Sequence, residues 1–463
     1  MIPMIPVKLT ICTSKALSVP DACDLSLVEM AFEELNKKFR KKDIQTLSLT
    51  GNRPFRELDL IAQCHPTDIR PNKIVIGLWC ETSYYVGQAA IKLDLGEVEI
   101  RIEPDLKDEI RNYLLEYACG VYLPRNLAAK TEDHHNGSNW LLLLMWRCAF
   151  ERALRASSIP KAYIHRRDNL RYFKGRLSIT KHIQENLTDQ SRLFCDYRQL
   201  SVNITINQVI RYIYKLVLNA KGIDKKAFTS LAEHDERLAA FGVTNKPVLP
   251  EAIDRIKYTR MTEVYRPLMM ISKALIRHLG AADCKYSLDS LSYFVDWTEV
   301  WENYLLKLMQ RNIQEYSFFS PNEAAEPTYL LTCGREIRPD FLVYKHGELV
   351  AVMDAKYKKY NKIGTSADEK SGAIQREDLY QMMTYLYHYS MPGKSLKGIF
   401  LSRGAESSVI SSPLRNPSLA GEIALLNLPL TDNSTLGDIK KQEATFCQRL
   451  RDYLDCSVAQ AKR

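Results

Sequence analysis

The sequence predicts a multidomain α+β protein, with an N-terminal β-rich domain, a helical middle region and a C-terminal α/β domain. Its 463 residues are too many for one typical hydrophobic core. Apolar residues alternate with period two near residue 100, take helical spacing from about 139 to 315, and then form a strand hairpin near residue 345. We therefore place the domains at residues 1–130, 139–290 and 291–463.

The N-terminal domain is predicted from three consecutive strand-like segments, at 72–81, 83–95 and 97–104. In the last segment Val98, Ile100 and Ile102 alternate with Glu and Arg side chains, which is the period of a half-buried strand. A segment with helical spacing, residues 28–42, precedes the strands. Together these segments indicate a small β-rich domain.

The middle region begins after a polar segment, residues 130–139, whose Asn-Gly pair is a turn signal. Beyond it, hydrophobic spacing predicts long helices at 139–157, 205–222, 255–279 and 296–314. Between the first two, residues 172–203 interleave Arg and Lys with Tyr and Phe. Basic side chains in such a pattern can contact phosphates while the aromatic rings stack on bases. Alternatively, the basic residues form a solvated helical face and the aromatic residues belong to the core. The composition leaves both interpretations open.

Composition and charge exclude several classes of protein. With 46% hydrophobic and 26% charged residues, the chain is neither disordered nor fibrous. The net charge of +9 is compatible with a polyanionic partner without requiring one. The 11 cysteines include no CxxC pair, which argues against a zinc ribbon and fits a reducing cytoplasm. No signal-peptide pattern is present, and the longest apolar run, WLLLLMW, is far below the roughly 20 residues that span a bilayer, so we expect a cytoplasmic protein.

A predicted hairpin with three charged side chains is the main feature of the C-terminal domain: RPDFLVYKHGELVAVMDAKYKKY, residues 338–360. Gly347 supplies the turn between two antiparallel strands. The side-chain period of two places Asp354 and Lys356 on the same face of the second strand. Asp340 begins the first strand, so the hairpin brings it beside Asp354, within reach of one ion.

This arrangement suits the hydrolysis of a phosphodiester. Asp340, Asp354 and the main-chain carbonyl of Ala355 are hard oxygen ligands that can hold Mg²⁺ and leave positions for water and phosphate. Lys356 can orient or help to deprotonate the attacking water, and can stabilise the pentavalent phosphate. The alternative is that the three charges are the ordinary polar surface of a β-hairpin.

Further candidates flank the hairpin. Downstream, the segment 375–389 has helical character, and Gln381 and Tyr385 share one of its faces because they are spaced i, i+4. Upstream, an amphipathic helix carries Glu302, a further carboxylate that could reach the ion. Three lysines follow the hairpin directly: Lys358, Lys359 and Lys362.

The ordered series Pro339-Asp340, Asp354-Ala355-Lys356 and Gln381-x-x-x-Tyr385 resembles the PD-(D/E)xK nuclease superfamily, in the branch whose following helix carries QxxxY. More narrowly, RPDFLVY, VMDAKYK and DLYQMMTY resemble the McrC family, the nuclease subunits of McrBC-type modification-dependent restriction systems. Upstream, residues 174–210 and 83–105 are similar to the central and N-terminal segments of that family, although Asp105 stands where a lysine is common. The resemblance covers roughly residues 80–400.

The resemblance implies a Mg²⁺-dependent endonuclease domain at 291–463, built on a central mixed sheet. With a nuclease site at the hairpin, we predict that Lys358, Lys359 and Lys362 contact the DNA backbone. It also implies an N-terminal domain that docks onto a McrB-like AAA+ GTPase, which recognises modified double-stranded DNA and whose nucleotide hydrolysis the chain stimulates. The chain itself contains no GxxxxGK[ST] motif, so we expect it to bind no nucleotide. Residues 1–75 and the tail after 405 have no counterpart in the resemblance and receive no role.

Two other functions remain open from the sequence. A nuclease of the same fold could act alone or in DNA repair, without a GTPase partner. An assembly factor with a degenerate site could serve mainly to activate an AAA+ motor, but the intact Asp340, Asp354 and Lys356 argue against it.

Overall fold

The computed structural model describes residues 7–12, 17–18, 45–47, 60–63, 75–80, 85–93, 96–120, 137–156, 158–219, 229–279, 293–321, 328–363, 372–391, 394–415, 421–431 and 434–456, except Asp105, Cys333, Arg335, Ala405 and Ser407, together with part of 30–37. In that last segment residues 30, 31, 33–35 and 37 are helical, within the predicted helix 28–42. The first part of the predicted boundary, residues 130–136, lies outside the described residues. No helix in these ranges is both long and apolar enough to cross a membrane.

The described strands are β1 (Val7–Cys12), β2 (Leu17–Ser18), β3 (Gln45–Leu47), β4 (Leu60–Gln63), β5 (Val75–Cys80), β6 (Tyr85–Leu93), β7 (Gly96–Glu103), β8 (Ala162–Leu170), β9 (Arg176–Leu177), β10 (Leu193–Ser201), β11 (Tyr293–Asp296), β12 (Ser317–Phe319), β13 (Thr328–Tyr329), β14 (Glu336–Ile337), β15 (Phe341–Lys345), β16 (Glu348–Lys356), β17 (Leu396–Ser402), β18 (Val409–Pro413) and β19 (Gly421–Asn427). The labelled α-helices are α1 (Asp108–Cys119), α2 (Gly137–Ala156), α3 (Ile179–Asn186), α4 (Thr205–Asn219), α5 (Thr229–Ala240), α6 (Pro250–Asp254), α7 (Arg266–Leu279), α8 (Trp297–Asn312), α9 (Arg376–Tyr389) and α10 (Leu436–Asp455).

The chain divides into two compact units, one formed by residues 1–123 and 288–463 and the other by residues 124–287. The N-terminal strands and the C-terminal part thus belong to one unit, whereas the sequence predicted separate domains for them. One reason is β11, which pairs antiparallel with β6 and parallel with β3, so that the sheet order is β1-β7-β6-β11-β3. The functional division into docking, middle and nuclease domains stays a prediction.

The unit 124–287 combines helices with a three-stranded antiparallel sheet of order β8-β10-β9. The prediction of a helical middle region is wrong for β8 and β10, because charged and polar side chains occupy both faces there and hide the alternation of a half-buried strand. The predicted helix 255–279 is also too long. It begins at Arg266. Pro267, in its first turn, has no N–H that could donate to the carbonyl of a preceding helical turn.

The C-terminal part is a six-stranded mixed sheet of order β12-β15-β16-β17-β19-β18. Its three central strands, β16, β17 and β19, are parallel. The predicted hairpin is β15 and β16, joined by His346 and Gly347, whose φ values of 51° and 82° are those of a two-residue type I′ turn. This mixed sheet confirms the predicted α/β character of the region.

Helices α8, α9 and α10 belong to the same unit as the mixed sheet. Asp296 caps α8, because its side chain accepts from the backbone N–H groups of Thr298 and Glu299. A capping box between Thr435 and Asp438 begins α10. Helix α9 packs on β17 at Gly398, where an added Cβ would lie 2.9 Å from Met382 Sδ. The glycine therefore lets α9 approach the sheet closely.

Candidate active site

The hairpin places Asp340 across from Asp354. Antiparallel pairing sets Phe341 opposite Met353, and Asp340 directly precedes Phe341. Its Oδ2 atom accepts a hydrogen bond of 2.7 Å from the backbone N–H of Ala355. The predicted position of Asp340, beside the end of the second strand, is therefore confirmed.

Lys356 ends β16 and is held by three oxygen atoms. Its Nζ atom lies 2.8 Å from Asp354 Oδ2 and 3.1 Å from Asp378 Oδ1. It also donates a hydrogen bond of 3.1 Å to Gln381 Oε1. Asp354 and Lys356 thus share one face, as their spacing predicts, and this face lies at the carboxyl ends of β16 and β17, where Lys356 pairs with Ser402.

Helix α9 brings Gln381 and Tyr385 to the same place. Gln381 Nε2 donates to the hydroxyl of Tyr385 over 2.7 Å, and that hydroxyl donates to the main-chain carbonyl of Arg338 over 2.9 Å. The i, i+4 pair therefore joins Lys356 to the segment that enters β15. Burial, with the nearby carboxylates, raises the pKa of Tyr385 far above its usual value, so its hydroxyl stays neutral and able to donate.

Asp354 and Lys356 strongly influence each other's pKa. Burial raises the pKa of Asp354 to about 7; Lys356 opposes the rise and the Asp340 carboxylate adds to it. For Lys356, burial favours a lower pKa, but the carboxylates of Asp354, Asp378 and Asp340 outweigh it, and the pKa is raised above its usual value. Lys356 is therefore an ammonium at neutral pH.

The donor set fits a hard divalent cation. In the described part of the chain no group of three His, Cys, Asp or Glu side chains gathers as a metal site. Two carboxylates, Asp340 and Asp354, do meet at the hairpin, and the buried Oδ2 atom of Asp354 has the ion pair with Lys356 but no aligned hydrogen-bond donor. An oxygen with this unused capacity can accept a cation, and a main-chain carbonyl and waters can complete the shell of Mg²⁺.

The remaining predicted residues lie around this cluster. Glu302 is buried on α8, whose Trp301 ring packs edge-on against Tyr357, the residue after Lys356. Lys358 donates to Gln375 Oε1, Lys359 is exposed, and Lys362 is half-buried. The roles of Glu302 and the Ala355 carbonyl as ion ligands, and of the three lysines as DNA contacts, stay predictions.

The structure adds two residues to which the sequence gave no role. Asp378, buried in the first turn of α9, pairs with Lys356, and its Oδ2 atom accepts from the hydroxyl of Tyr360. The spacing of Asp378 and Gln381, i and i+3, was the available signal, because it puts both side chains on one face of the helix. Tyr360 carried no signal, since a loop brings it to Asp378.

The fold and the cluster define a mixed α/β protein with a carboxylate and lysine site at the carboxyl ends of parallel strands. The family model described as the McrBC 5-methylcytosine restriction system component matches residues 80–396. This match covers more than half of the chain, and the protein therefore belongs to that family.

A search of curated proteins gave no match. Two solved assemblies from Thermococcus gammatolerans are similar to the chain. One is a refined half-complex from a tetradecameric assembly of McrB AAA+ hexamers with bound McrC, with 15% identity and a TM-score of 0.49 over 96% of this chain and 100% of that chain. The other is the McrBC complex determined by cryo-EM, with 16% identity and a TM-score of 0.33 over 66% of this chain and 88% of that chain.

Proposed function

We propose that this chain is the Mg²⁺-dependent DNA endonuclease subunit of a McrBC-like restriction complex, with a C-terminal domain of the PD-(D/E)xK type. The observation that carries the proposal is the convergence of Asp340, Asp354 and Lys356 with Gln381 and Tyr385 at one edge of the mixed sheet. Membership of a restriction-system family supports DNA as the substrate.

Asp340 and Asp354 would hold the metal, with the carbonyl of Ala355 and Glu302 as further candidate oxygens. When bound, Mg²⁺ would neutralise charge on the phosphate and lower the pKa of a bound water. The buried position of Asp354 suits this role, because a carboxylate removed from bulk water gains more from a nearby cation than an exposed one does, and its Oδ2 atom already lies 2.8 Å from the Lys356 ammonium.

Lys356 would act as a positive charge rather than as a base. Its ammonium is retained by Asp354 and Asp378, which disfavours loss of the proton. A fixed ammonium beside the reacting phosphate stabilises the negative charge that develops in the transition state. Of the two roles that the sequence allowed for Lys356, charge stabilisation is thus the better supported.

Gln381 and Tyr385 would set the position of that ammonium. Gln381 accepts from Lys356 and donates to Tyr385, and Tyr385 is fixed in turn by the Arg338 carbonyl. The chain of hydrogen bonds ties the lysine to the entry of β15, two residues before Asp340. The spacing between the ammonium and the carboxylates is therefore set by backbone as well as by side chains.

The proposed partner is a McrB-like AAA+ GTPase. The family is a component of a restriction system, and in the T. gammatolerans half-complex McrC is bound to McrB AAA+ hexamers. The sequence contains no phosphate-binding loop of its own, so a nucleotide-driven step would belong to the partner. Recognition of modified DNA is assigned to the same partner, and the N-terminal part of this chain to docking.

The test is cleavage of duplex DNA carrying 5-methylcytosine by the full chain with its partner, GTP and Mg²⁺. We expect Asp354→Ala and Lys356→Ala to abolish cleavage and to leave assembly and GTP hydrolysis intact, because neither change touches a nucleotide site. Undiminished cleavage by both variants would contradict the assignment of Asp354 and Lys356 to the active site. Cleavage by the chain without partner or GTP would instead favour a nuclease that acts alone.

A further inference from the structure

The candidate site contains a carboxylate that the proposed reaction does not use. Asp378 is 8% exposed, and its Oδ1 atom lies 3.1 Å from Lys356 Nζ. Lys356 therefore lies between two carboxylates, since Asp354 Oδ2 is 2.8 Å from the same nitrogen. All three side chains are largely shielded from solvent.

The two carboxylates have different neighbours. Asp354 lies across the hairpin from Asp340 in the proposed metal site, whereas the Oδ2 atom of Asp378 accepts a hydrogen bond from the hydroxyl of Tyr360. A divalent cation held by Asp354 competes with Lys356 for the negative charge of that carboxylate. With no second carboxylate, the ammonium would then be left buried without a counter-charge, which is strongly unfavourable.

The position of Asp378 is set by the fold and not by Lys356 alone. Its partner Tyr360 is anchored through its backbone: its N–H donates to Ser402 Oγ over 3.2 Å, and its carbonyl accepts from Asn427 Nδ2 over 2.8 Å. Ser402 Oγ in turn donates to Asn427 Oδ1 over 2.8 Å. These bonds tie the loop after β16 to β17 and β19, so Asp378 has a fixed partner on each side.

We propose that Asp378 is a positioning residue that retains the Lys356 ammonium in the site when Asp354 binds a divalent cation. It thereby allows the cation and the ammonium to be present together, which neither Asp354 nor Gln381 can ensure. The inference rests on the proposed metal-binding role of Asp340 and Asp354.

The test measures Mn²⁺ binding to the full chain by electron paramagnetic resonance, without partner or DNA. Four proteins form a cycle: the wild type, Asp378→Asn, Lys356→Met and the double variant. We expect Asp378→Asn to weaken binding at least about fivefold when Lys356 is present, and about twofold or less in the Lys356→Met background, where no ammonium is left without a counter-charge. Glu377→Gln, an exposed neighbour on the same helix, is the matched control and should bind as the wild type does.

Equal weakening in both backgrounds, or none in either, would overturn the inference while leaving the metal site in place. Failure of the wild type to bind Mn²⁺ would overturn the proposed metal site, and with it the proposed function. A second readout is single-turnover DNA cleavage by the complex at saturating Mg²⁺, which Asp378→Asn should slow at least about tenfold. Tyr360→Phe keeps the carboxylate and should slow it less; a wild-type rate for Asp378→Asn would contradict the proposal.

Discussion

The hydroxyl of Tyr385 joins the helix that carries Gln381 to the entry of the hairpin that carries Asp340 and Asp354, so its removal should loosen both. Tyr385→Phe keeps the ring in its apolar cluster and deletes one oxygen. That oxygen donates to the Arg338 carbonyl over 2.9 Å and accepts from Gln381 Nε2 over 2.7 Å, and the residue is only 3% exposed. Two lost bonds at about 1 kcal/mol each, with their partners left partly unsatisfied, amount to about 2–3 kcal/mol.

Amide hydrogen exchange of α9 measures this loss locally, without requiring the whole chain to unfold in one step. A loss of about 2–3 kcal/mol corresponds to exchange about 30- to 150-fold faster. DNA cleavage should slow as well, because Gln381 no longer holds Lys356 in place. Tyr387→Phe is the control, since Tyr387 is 73% exposed on the same helix. Exchange and cleavage at wild-type rates in Tyr385→Phe would refute the role of this hydroxyl.

Two further predictions concern DNA binding and pH. Replacing Lys358, Lys359 and Lys362 together by Gln should weaken DNA binding and lower the slope of log affinity against log salt by up to about 3, whereas the exposed pair Lys440 and Lys441, changed in the same way, should have little effect. An unchanged salt slope would show that these lysines do not contact phosphates. Burial lowers the pKa of His234 to about 4, so the unfolded state takes up a proton first as the pH falls. The stability of the unit 124–287 should therefore be complete above about pH 6.5 and fall by about 3 kcal/mol toward pH 4, as followed by denaturant unfolding. Equal pH dependence in His234→Gln would contradict this assignment.

The hairpin and the Gln381–Tyr385 pair could be predicted because local rules determine them. The period of two fixes which side chains of β16 share a face, and the i, i+4 spacing does the same for α9. The turn could be placed because Gly347 readily adopts positive φ, although His346 adopts it as well.

The strands β8, β10 and β11 were not predictable in the same way. In β8, exposed His165, Arg166 and Arg167 interrupt any alternation of apolar and polar residues. Strand β11 has only four residues and leads directly into α8, so the helical spacing that follows hides the short strand pattern. Its partners β6 and β3 are distant in sequence, and such pairing is decided by tertiary contacts rather than by local pattern.

The environment of Lys356 likewise depends on contacts that the sequence does not display. The loop that holds Tyr360 against Asp378 is placed by Ser402 on β17 and Asn427 on β19. These residues are separated from Lys356 by tens of positions, and only the parallel pairing of β16, β17 and β19 brings them together. The components of the site were therefore visible in the sequence, but the arrangement that fixes the charge of Lys356 was not.

Asp340, Asp354 and Lys356 are proposed to form a metal-dependent nuclease site. The most direct measurement is single-turnover cleavage of duplex DNA carrying 5-methylcytosine by the complex of the chain with its AAA+ partner, in Mg²⁺ and in a chelator, for the wild type and Asp354→Ala. We expect cutting only by the wild type and only with Mg²⁺, with GTP hydrolysis by the partner retained in the variant. Cutting by Asp354→Ala at the wild-type rate, or undiminished cutting in the chelator, would contradict the assignment of this site.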